Sequence, residues 1–274
     1  MQELPKSEPK SPRFDPVLPA HAIERCALTV IFDQPLPSKP FGRVVADLND
    51  RLDMLRLVPA TPGVELEVDI ATGRIAVKPQ GQNPTYTTPD GASTLHVSPA
   101  MVAWQTTRYV RWTPFRGQID RLIFSMLPKI LKVVSIKAVK LEYWDRFVWT
   151  GTQADIDPWR LLRKDGGFVV PLAVREGTTW HSHCGWYELP SYVGRRLVNI
   201  NVDAVDLLQP GRSPVPSIGI YTMMQQDVRY DDTSNLKAPI ETVDQLHIAL
   251  KQLLGSIIES SMVDRIALNP EKHK

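Results

Sequence analysis

The chain has 274 residues, a net charge of +2 and 43% hydrophobic residues, which is ordinary for a globular protein large enough to bury a core. So small a net charge argues against a protein whose whole surface binds nucleic acid, but it is compatible with a basic patch on one part of the surface. No stretch reaches the roughly 18 uninterrupted apolar residues that a membrane helix needs, and the N-terminus lacks the apolar block of a signal peptide. With Cys26 and Cys184 as the only cysteines, the sequence predicts a cytoplasmic protein without a disulfide framework.

Prolines and charged residues dominate the first 20 positions, and the apolar side chains there are too few to offset the entropy of ordering the segment. This composition predicts a flexible tail over residues 1–20. The alternating segment from Glu24 to Phe32 then predicts a strand, which Gln34-Pro35-Leu36-Pro37 ends. A helix capped by Ser38 is expected next, with an apolar stripe at Phe41, Val44, Val45, Leu48, Leu52 and Leu55.

Several antiparallel strands are expected after this helix. Val64 to Ile70 alternates apolar and acidic residues, and Thr72-Gly73 predicts a hairpin turn into a partner strand. Further strands are predicted at 94–97 and 101–112. A second helix should start at Thr113-Pro114 and be kinked or closed by Pro128, with its stripe at Ile119, Leu122, Ile123, Met126, Leu127 and Ile130.

The segment from Val139 to Trp149 is the densest alternating stretch of the chain and predicts a central strand. The apolar phase slips by one residue at Ala138-Val139, which a bulge or a short turn would explain. One face would carry Val139, Leu141, Tyr143, Phe147 and Trp149, and the other Lys140, Glu142, Trp144 and Arg146.

The second half of the sequence repeats this organisation loosely. A short helix is expected after Asp157-Pro158, followed by strands at 168–174, 178–187, 196–205 and 218–228. A long helix starting near Thr242, where Thr242-x-x-Gln245 has capping-box spacing, should close the chain. Its broad apolar face comprises Val243, Leu246, Leu250, Leu253, Leu254, Ile257, Ile258 and Met262.

Runs of strands with a few helices between them predict an α+β fold and not a doubly wound sheet. We expect antiparallel sheets in two loosely similar halves, with helices packed on them. The expected divisions are the flexible tail (1–20), a first α+β half (21–150) and a second, β-rich half closed by the long C-terminal helix (151–274).

His181 and His183 would share one face of a predicted strand, so both could reach one metal ion. Cys184 would point to the opposite face, and nothing in the sequence identifies a third ligand. The alternative is a pair of exposed strand histidines near a turn. The sequence contains no phosphate-binding loop, nucleophile elbow or His-Glu-x-x-His motif. We therefore predict no cofactor and no catalytic residue, and favour a binding protein over an enzyme.

A basic and aromatic run covers positions 108–140, with Asp120 the only acid inside it. Nucleic acid or another polyanion could bind such a surface through phosphate contacts and stacking on the rings. The alternative is that the charges form the solvated face of the second helix, while Trp112 and Phe115 anchor its start in the core. The run consists of Arg108, Tyr109, Arg111, Trp112, Phe115, Arg116, Arg121, Lys129, Lys132, Lys137 and Lys140.

The final helix has a wide apolar surface. Its apolar residues from Leu250 to Ile258 cover more than half of the circumference, and Gly255 would allow another backbone to approach. Burial by its own sheet and by a second chain would explain this pattern, which predicts a protein partner or self-association. The alternative is a helix that spans the core between two sheet layers.

Four short stretches occur in this order along the chain: the opening strand with its proline-ended turn (22–36), Tyr109-x-x-Trp112-x-x-Phe115, Leu141-Glu142-Tyr143-Trp144-Asp145-Arg146 and Leu246-His247. Together they resemble a sporadically distributed, uncharacterised prokaryotic protein family of about this length, over residues 20–266. Two departures stand out: Glu142 replaces a basic residue usual in that family, and Asp145 replaces an asparagine. The resemblance implies an α+β fold and an accessory role, and a sporadic distribution is typical of defence or toxin-antitoxin loci.

Two functional hypotheses follow. The first is a non-enzymatic cytoplasmic protein that binds a protein partner, accessory to a bacterial antiviral defence or toxin-antitoxin system. The second is an enzyme or binding protein that acts on nucleic acid or a nucleotide through the basic aromatic run and His181 and His183. No membrane contact is expected. The predicted binding residues are Tyr143, Asp145 and Arg146, as a polar face of the central strand, with Arg108, Arg111 and Trp112 from the basic run.

Overall fold

The computed structural model describes residues 13–60, 64–69, 74–79, 83–169, 174, 179–189, 194–208, 213–230 and 236–268. The strands are β1 (Phe14–Pro16), β2 (Ile23–Phe32), β3 (Val58–Pro59), β4 (Val64–Asp69), β5 (Arg74–Pro79), β6 (Thr85–Thr87), β7 (Ser93–Val97), β8 (Met101–Thr106), β9 (Ile136–Trp149), β10 (Trp180–Glu188), β11 (Arg196–Leu207) and β12 (Val215–Tyr230). The helices are α1 (Ser38–Asn49), α2 (Leu52–Leu55), α3 (Trp112–Ile119), α4 (Leu127–Ile130), α5 (Lys237–Ile257) and α6 (Ser260–Arg265), with a π-helical turn at Asp120–Phe124 between α3 and α4.

A ten-stranded antiparallel sheet contains most of these strands, in the order β10-β11-β12-β9-β2-β8-β7-β6-β3, with β1 added beside β9. Helices pack against this sheet, and α5 contacts both β12 and β9. The predicted α+β fold is confirmed. The predicted long C-terminal helix is confirmed in part, because α5 ends at Ile257 and Met262 belongs to the separate helix α6. Strands from the two predicted halves meet in this sheet, because β12 of the second half pairs with β9 of the first.

The central strand β9 alternates as its sequence predicts. Its buried face carries Val139, Leu141, Tyr143, Phe147 and Trp149. The predicted slip in apolar phase is also confirmed: Ile31 of β2 pairs with Ala138 and Phe32 with Ile136, so β9 has an extra residue at this point. The extra residue of a bulge shifts the alternation of side chains by one position. The even-numbered apolar residues before the bulge and the odd-numbered ones after it can therefore face the same side of the sheet.

Most residues of the helical stripes are buried, whereas Phe41, Val45 and Leu52 of the first stripe are partly exposed. In the second predicted helix every stripe residue is buried, although the chain forms α3, the π-helical turn and α4 in place of one helix. Pro128 is the second residue of α4, consistent with the predicted kink, because proline removes a backbone donor and disfavours a continuous helix before it. The apolar face predicted for the final helix is also buried throughout.

Two predicted helix caps are wrong. Helix α5 begins at Lys237, so Thr242 lies in its second turn, where its hydroxyl donates to the carbonyl oxygen of Ala238. Threonine can satisfy its hydroxyl this way inside a helix, and the capping-box spacing therefore misplaced the start. Ser38 is the first residue of α1, and Pro37 occupies the cap position without a side-chain hydrogen bond.

The smaller elements agree in part with the predictions. The antiparallel β4–β5 pair is present, whereas its predicted turn at Thr72-Gly73 lies outside the described residues. The strand predicted at 168–174 is not formed at Phe168 and Val169, and 170–173 lie outside the described residues. Asp157 caps a short helical turn at Pro158–Arg160, as predicted, by accepting a hydrogen bond from the Trp159 backbone N–H.

The flexible tail predicted over residues 1–20 is wrong for its C-terminal part. Residues 14–16 form β1 beside β9, and the Phe14 ring is only 1% exposed and lies 4.9 Å from the ring of Trp149. Asp15 forms an ion pair with Arg265 of α6. Backbone pairing with β9, the buried Phe14 ring and the ion pair of Asp15 thus hold a segment whose average composition favours disorder. Residues 1–12 lie outside the described residues.

Among the described residues, no helix is both long enough and apolar enough to cross a bilayer.

We expect Phe14→Ala to lower the free energy of unfolding by about 3–5 kcal/mol, because it removes a fully buried aromatic side chain. Leu18→Ala is the matched control in the same segment, since Leu18 is 37% exposed and should change stability by about 0.5 kcal/mol or less. Urea unfolding of both variants measures the difference. Equal stabilities would show that residues 14–16 do not belong to the folded core.

Candidate functional site

A cavity of about 600 Å³ lies between the buried face of the sheet, the helices α3 and α5, and the segment that follows α6. Apolar, aromatic and titratable side chains line it together. A volume of this size falls in the range typical of small-molecule sites, roughly 300–1,000 Å³. The lining residues are His21, Ala22, Ile23, Tyr109, Arg111, Trp112, Thr113, Tyr143, Asp145, Thr222, His247, Leu250, Lys251, Leu254, Ile266, Ala267 and Leu268.

Secondary structure explains why these side chains converge. Tyr143 and Asp145 are two residues apart on β9, so both point to the helix-covered face. His247, Lys251 and Leu254 recur at intervals of four and three residues along α5 and therefore lie on one face of that helix. The start of α3 and the segment before β2 close the remaining sides.

One wall is a stack of Trp112 on His247, with ring centroids 4.0 Å apart and planes inclined by 4°. The indole N–H of Trp112 donates to Asp244 of α5 at 3.1 Å, and the Tyr143 hydroxyl lies 2.9 Å from Nδ1 of His247. Burial, together with the nearby Lys251 ammonium, lowers the pKa of His247 to about 4. The imidazole is therefore neutral at neutral pH, and the hydrogen bond to Tyr143 fixes its ring.

Two tyrosines continue this wall into the core. The Tyr109 ring meets Tyr143 edge-on, with centroids 5.9 Å apart, and His21 edge-on at 5.6 Å. Burial raises the pKa of both tyrosines, so their hydroxyls stay protonated. Cys26 is opposite Tyr143 on β2 and is fully buried, and this burial raises the pKa of its thiol. The cavity thus offers neutral hydrogen-bonding groups next to a protonated thiol that does not line it.

The carboxyl group of Asp145 is the exceptional feature of the cavity. Asp145 is only 3% exposed, and it forms no hydrogen bond or ion pair with any residue that the structure describes. Burial, with a smaller contribution from the Glu24 carboxylate, raises the pKa of Asp145 to about 7. Glu24 is the extra residue of a bulge in β2, because Ile23 pairs with Asp145 and Arg25 with Trp144. Bulges are over-represented next to functional sites, where they redirect side chains.

Two cations contribute to the same cavity. Arg111 is exposed and directly precedes α3, and one of its terminal nitrogens donates to the Ala20 carbonyl oxygen at 3.2 Å. A guanidinium has five N–H donors, so further donors of Arg111 remain for a ligand. Lys251 is half-buried on α5. The cavity therefore combines a buried carboxyl group with positive charge nearer the solvent.

The structure brings together four of the predicted binding residues: Tyr143, Asp145, Arg111 and Trp112 all line the cavity. Arg146 does not, because it follows Asp145 on β9 and points to the opposite face. There its guanidinium donates to Glu24 at 3.2 Å and to Asp203 at 3.0 Å. Tyr143 and Arg146 therefore point to opposite faces of β9. Asp145 and Arg146 together line a second, smaller cavity of about 250 Å³, and the binding role of the three residues stays a prediction.

The basic aromatic run does not form one cationic surface. Arg108, the remaining predicted binding residue, forms an ion pair with Asp90. Tyr109 and Phe115 are buried, and Trp112 packs against the core. Three other cations of the run also form ion pairs within the chain. Arg116 pairs with Asp120 and Asp244, Lys129 pairs with Asp47, and Lys140 pairs with Glu142.

His181 and His183 lie on the exposed face of β10, and Cys184 points the other way, as their spacing predicts. His183 Nε2 lies 2.9 Å from the side-chain oxygen of Asn199. Over the described part of the chain, no group of three or more His, Cys, Asp or Glu side chains could hold a metal ion. The structure therefore adds no ligand to the predicted metal pair.

Four lining residues, His21, Tyr109, His247 and Lys251, are not among the predicted binding residues. Their positions come from different segments, and no local spacing connects them. One signal was available: three of the stretches that carry the family resemblance contribute Tyr109 and Trp112, Tyr143 and Asp145, and His247, and all of these line one cavity. Their convergence is a property of the fold that sequence spacing alone cannot reveal.

Comparison with known proteins gives no family assignment: no protein-family model matches the chain, and no curated protein matches its sequence. The family resemblance and the role that it implies therefore stay predictions.

We expect Tyr143→Phe to lower the free energy of unfolding by about 1–2 kcal/mol, because it leaves a buried imidazole nitrogen without its partner. Tyr187→Phe is the control, since Tyr187 is exposed on β10 and its hydroxyl should contribute less than about 0.5 kcal/mol. Urea unfolding measures both. Identical losses in the two variants would contradict the proposed role of the Tyr143–His247 hydrogen bond.

Stability should also depend on the ionisation of Asp145. The pKa of Asp145 is raised to about 7 in the folded state, whereas an unfolded chain has the ordinary Asp pKa of about 3.9. Between these two pH values the folded protein binds more protons than the unfolded chain. The free energy of unfolding therefore falls as the pH rises from about 4 to about 7. We therefore expect Asp145→Asn to gain stability relative to the wild type between about pH 4 and pH 8, by on the order of a few kcal/mol. Chemical unfolding at several pH values measures this difference.

Asp15→Asn is the matched control for this pH series. Burial alone would raise the pKa of Asp15, but hydrogen bonds from Arg265 and Arg13 lower it overall. Asp15 is then ionised above about pH 4 in both folded and unfolded states, so the stability difference of this variant should stay flat over the same range. A flat difference for Asp145→Asn as well would show that Asp145 ionises normally.

Proposed function

We propose that this protein binds a small organic ligand in the cavity between the sheet and the helices. The observation that carries the proposal is a nearly buried carboxyl group, Asp145, that lines a cavity of about 600 Å³ without a partner among the described residues. Apolar walls with a few converging polar groups are the usual composition of small-molecule sites.

Both features oppose stability when the cavity contains only solvent. Apolar walls that face solvent forgo the free energy that burying them would supply. Placing a carboxyl group in this largely buried position without a charged partner costs further free energy, because the ionised form loses much of its hydration. A ligand that fills the space and bonds to Asp145 would offset both costs, which supports a binding role for this arrangement over a purely structural one.

The chemistry of the lining favours recognition over catalysis. Tyr143 and His247 satisfy each other, and their hydroxyl and imidazole are neutral at neutral pH. The thiol of Cys26 does not line the cavity and stays protonated. An acid–base reaction at Asp145, whose pKa is raised to about 7, would need a partner group, and no lining side chain among the described residues is hydrogen-bonded to Asp145.

The two sequence-based hypotheses stay predictions. The apolar face of α5, which suggested a protein partner, is buried within the chain itself, and Leu268 lies 3.7 Å from the position that a side chain at Gly255 would occupy. Four of the eight cations that suggested nucleic acid, Arg108, Arg116, Lys129 and Lys140, pair with acids of the same chain. A role in bacterial defence or in a toxin-antitoxin system is compatible with a ligand-binding protein, since ligand occupancy can regulate an accessory protein.

Anilinonaphthalene sulfonate, an aromatic anion that fluoresces in apolar sites, is a suitable probe for the cavity. Its rings match the apolar walls, and its sulfonate matches Arg111 and Lys251. We expect saturable binding to the wild type and binding several-fold weaker in Leu250→Trp, because the larger side chain fills part of the cavity. Fluorescence titration measures both affinities.

Ile248→Trp is the matched control, because Ile248 lies on the same helix but is 56% exposed and does not line the cavity. It should bind the probe like the wild type. Unfolding midpoints of both variants would verify that the fold is kept. No saturable binding to the folded wild type, or equal weakening in the two variants, would contradict the proposed site.

A further inference from the structure

The geometry points to a specific class of ligand, an inference that rests on the proposed function: a small amino acid-like compound with a basic nitrogen, an acidic group and an apolar or aromatic body between them. The nitrogen would bind Asp145, the acidic group would bind Arg111 and Lys251, and the body would lie along the aromatic wall formed by Trp112 and His247.

Asp145 selects the basic nitrogen. It is 3% exposed, lines the cavity and has no partner among the described residues, although buried carboxylates normally accept several hydrogen bonds. The hydrogen-bonding needs of the nearby Tyr143 hydroxyl are met by His247 at 2.9 Å. An ammonium or amidinium group would supply both the missing donors and the missing charge, and such charge-assisted hydrogen bonds are about twice as strong as neutral ones.

The cations select the acidic group. A ligand with a basic nitrogen alone would bring its positive charge close to Arg111 and Lys251, which lowers the affinity for simple amines. Arg111 is exposed at the start of α3 and uses one terminal nitrogen for the Ala20 carbonyl oxygen, so its other donors can bind a carboxylate in a bidentate manner. A ligand that carries both a basic nitrogen and an acidic group therefore complements the cavity better than a ligand that carries only one of them.

The walls select the body of the ligand. Trp112 stacks on His247 at 4.0 Å and closes one side with flat π surfaces, while Leu250, Leu254 and Ile266 contribute apolar side chains. Burial of apolar ligand surface against such walls drives binding, and aromatic rings add edge or stacking contacts. A flat, apolar spacer between the two charged groups fits this lining.

Three related compounds test the inference. Para-aminomethylbenzoate carries the amine, the ring and the carboxylate, whereas benzylamine lacks the acid and para-methylbenzoate lacks the amine. Binding of each to the folded wild type is measured by protein-observed NMR titration, with anilinonaphthalene sulfonate as the probe of cavity integrity. We expect para-aminomethylbenzoate to bind about tenfold or more tightly than either half-compound, the effect of one charge-assisted contact.

Two variants assign the ends of the ligand. Asp145→Asn should weaken para-aminomethylbenzoate and benzylamine by about tenfold or more while leaving para-methylbenzoate and the fluorescent probe unchanged or tighter. Arg111→Gln should weaken the binding of the two carboxylates and make benzylamine bind more tightly, because a repelling positive charge is removed. Arg108→Gln is the matched control, because Arg108 pairs with Asp90 and does not line the cavity; it should change none of the three affinities.

The results separate the inference from the proposed function. If the fluorescent probe binds the cavity while para-aminomethylbenzoate binds no better than para-methylbenzoate, or if Asp145→Asn binds para-aminomethylbenzoate as tightly as the wild type, the ligand class is wrong and the binding function stands. If neither the probe nor any of the three compounds binds the folded wild type, both are wrong.

Discussion

The alternation of side chains along β9 is the constraint on which the core and the cavity both depend. This strand pairs with β12 along one edge and with β2 and β1 along the other, so its register is fixed from two sides. A slip of one residue would move Asp145 to the opposite face and bring Trp144 under the helices. The bulge near Ala138 and the bulge at Glu24 are the two places where this register changes, and the second directly flanks Asp145.

The charged side chains on the two faces of β9 differ in whether they have partners within the chain. On the face away from the cavity, Arg146 binds Glu24 and Asp203, and Glu142 accepts hydrogen bonds from Tyr221 and Lys140, so each charge has partners within the chain. On the helix-covered face, Asp145 has none among the described residues. A fold that satisfies its charges so thoroughly on one face, and leaves one carboxyl group unsatisfied in a cavity on the other, supports a role for Asp145 outside the chain's own stability.

Sequence patterns predicted the parts of this structure that depend on local periodicity. The alternation of β9, the buried helical stripes and the α+β class follow from apolar spacing at two or at three to four residues, and the shift at Ala138 even located a bulge. The helix starts were less predictable, because Thr242 bonds within α5 and not at its end. The burial of Phe14 was not predicted, because the segment around it is rich in proline and its average composition indicates a flexible tail.

The cavity could be predicted only in part, for a physical reason. Tyr143, Asp145 and Arg146 were identified as polar residues on a central strand, but alternation directs Arg146 away from the cavity that Tyr143 and Asp145 line. His21 and His247 are more than 200 positions apart, and only the packing of α5 over β9 and of the segment before β2 brings them into one lining. Single-sequence patterns carry no information on such contacts.

Carbon-13 NMR of the side-chain carboxyl groups tests the central claim most directly, because it follows Asp145 itself, with Asp145→Asn providing the resonance assignment. The account predicts that this resonance titrates with a midpoint near the pKa of about 7, and that it shifts when a ligand with a basic nitrogen enters the cavity. A midpoint near the ordinary Asp value of about 3.9, unchanged by any such ligand, would show a solvated or internally paired carboxylate and contradict the account.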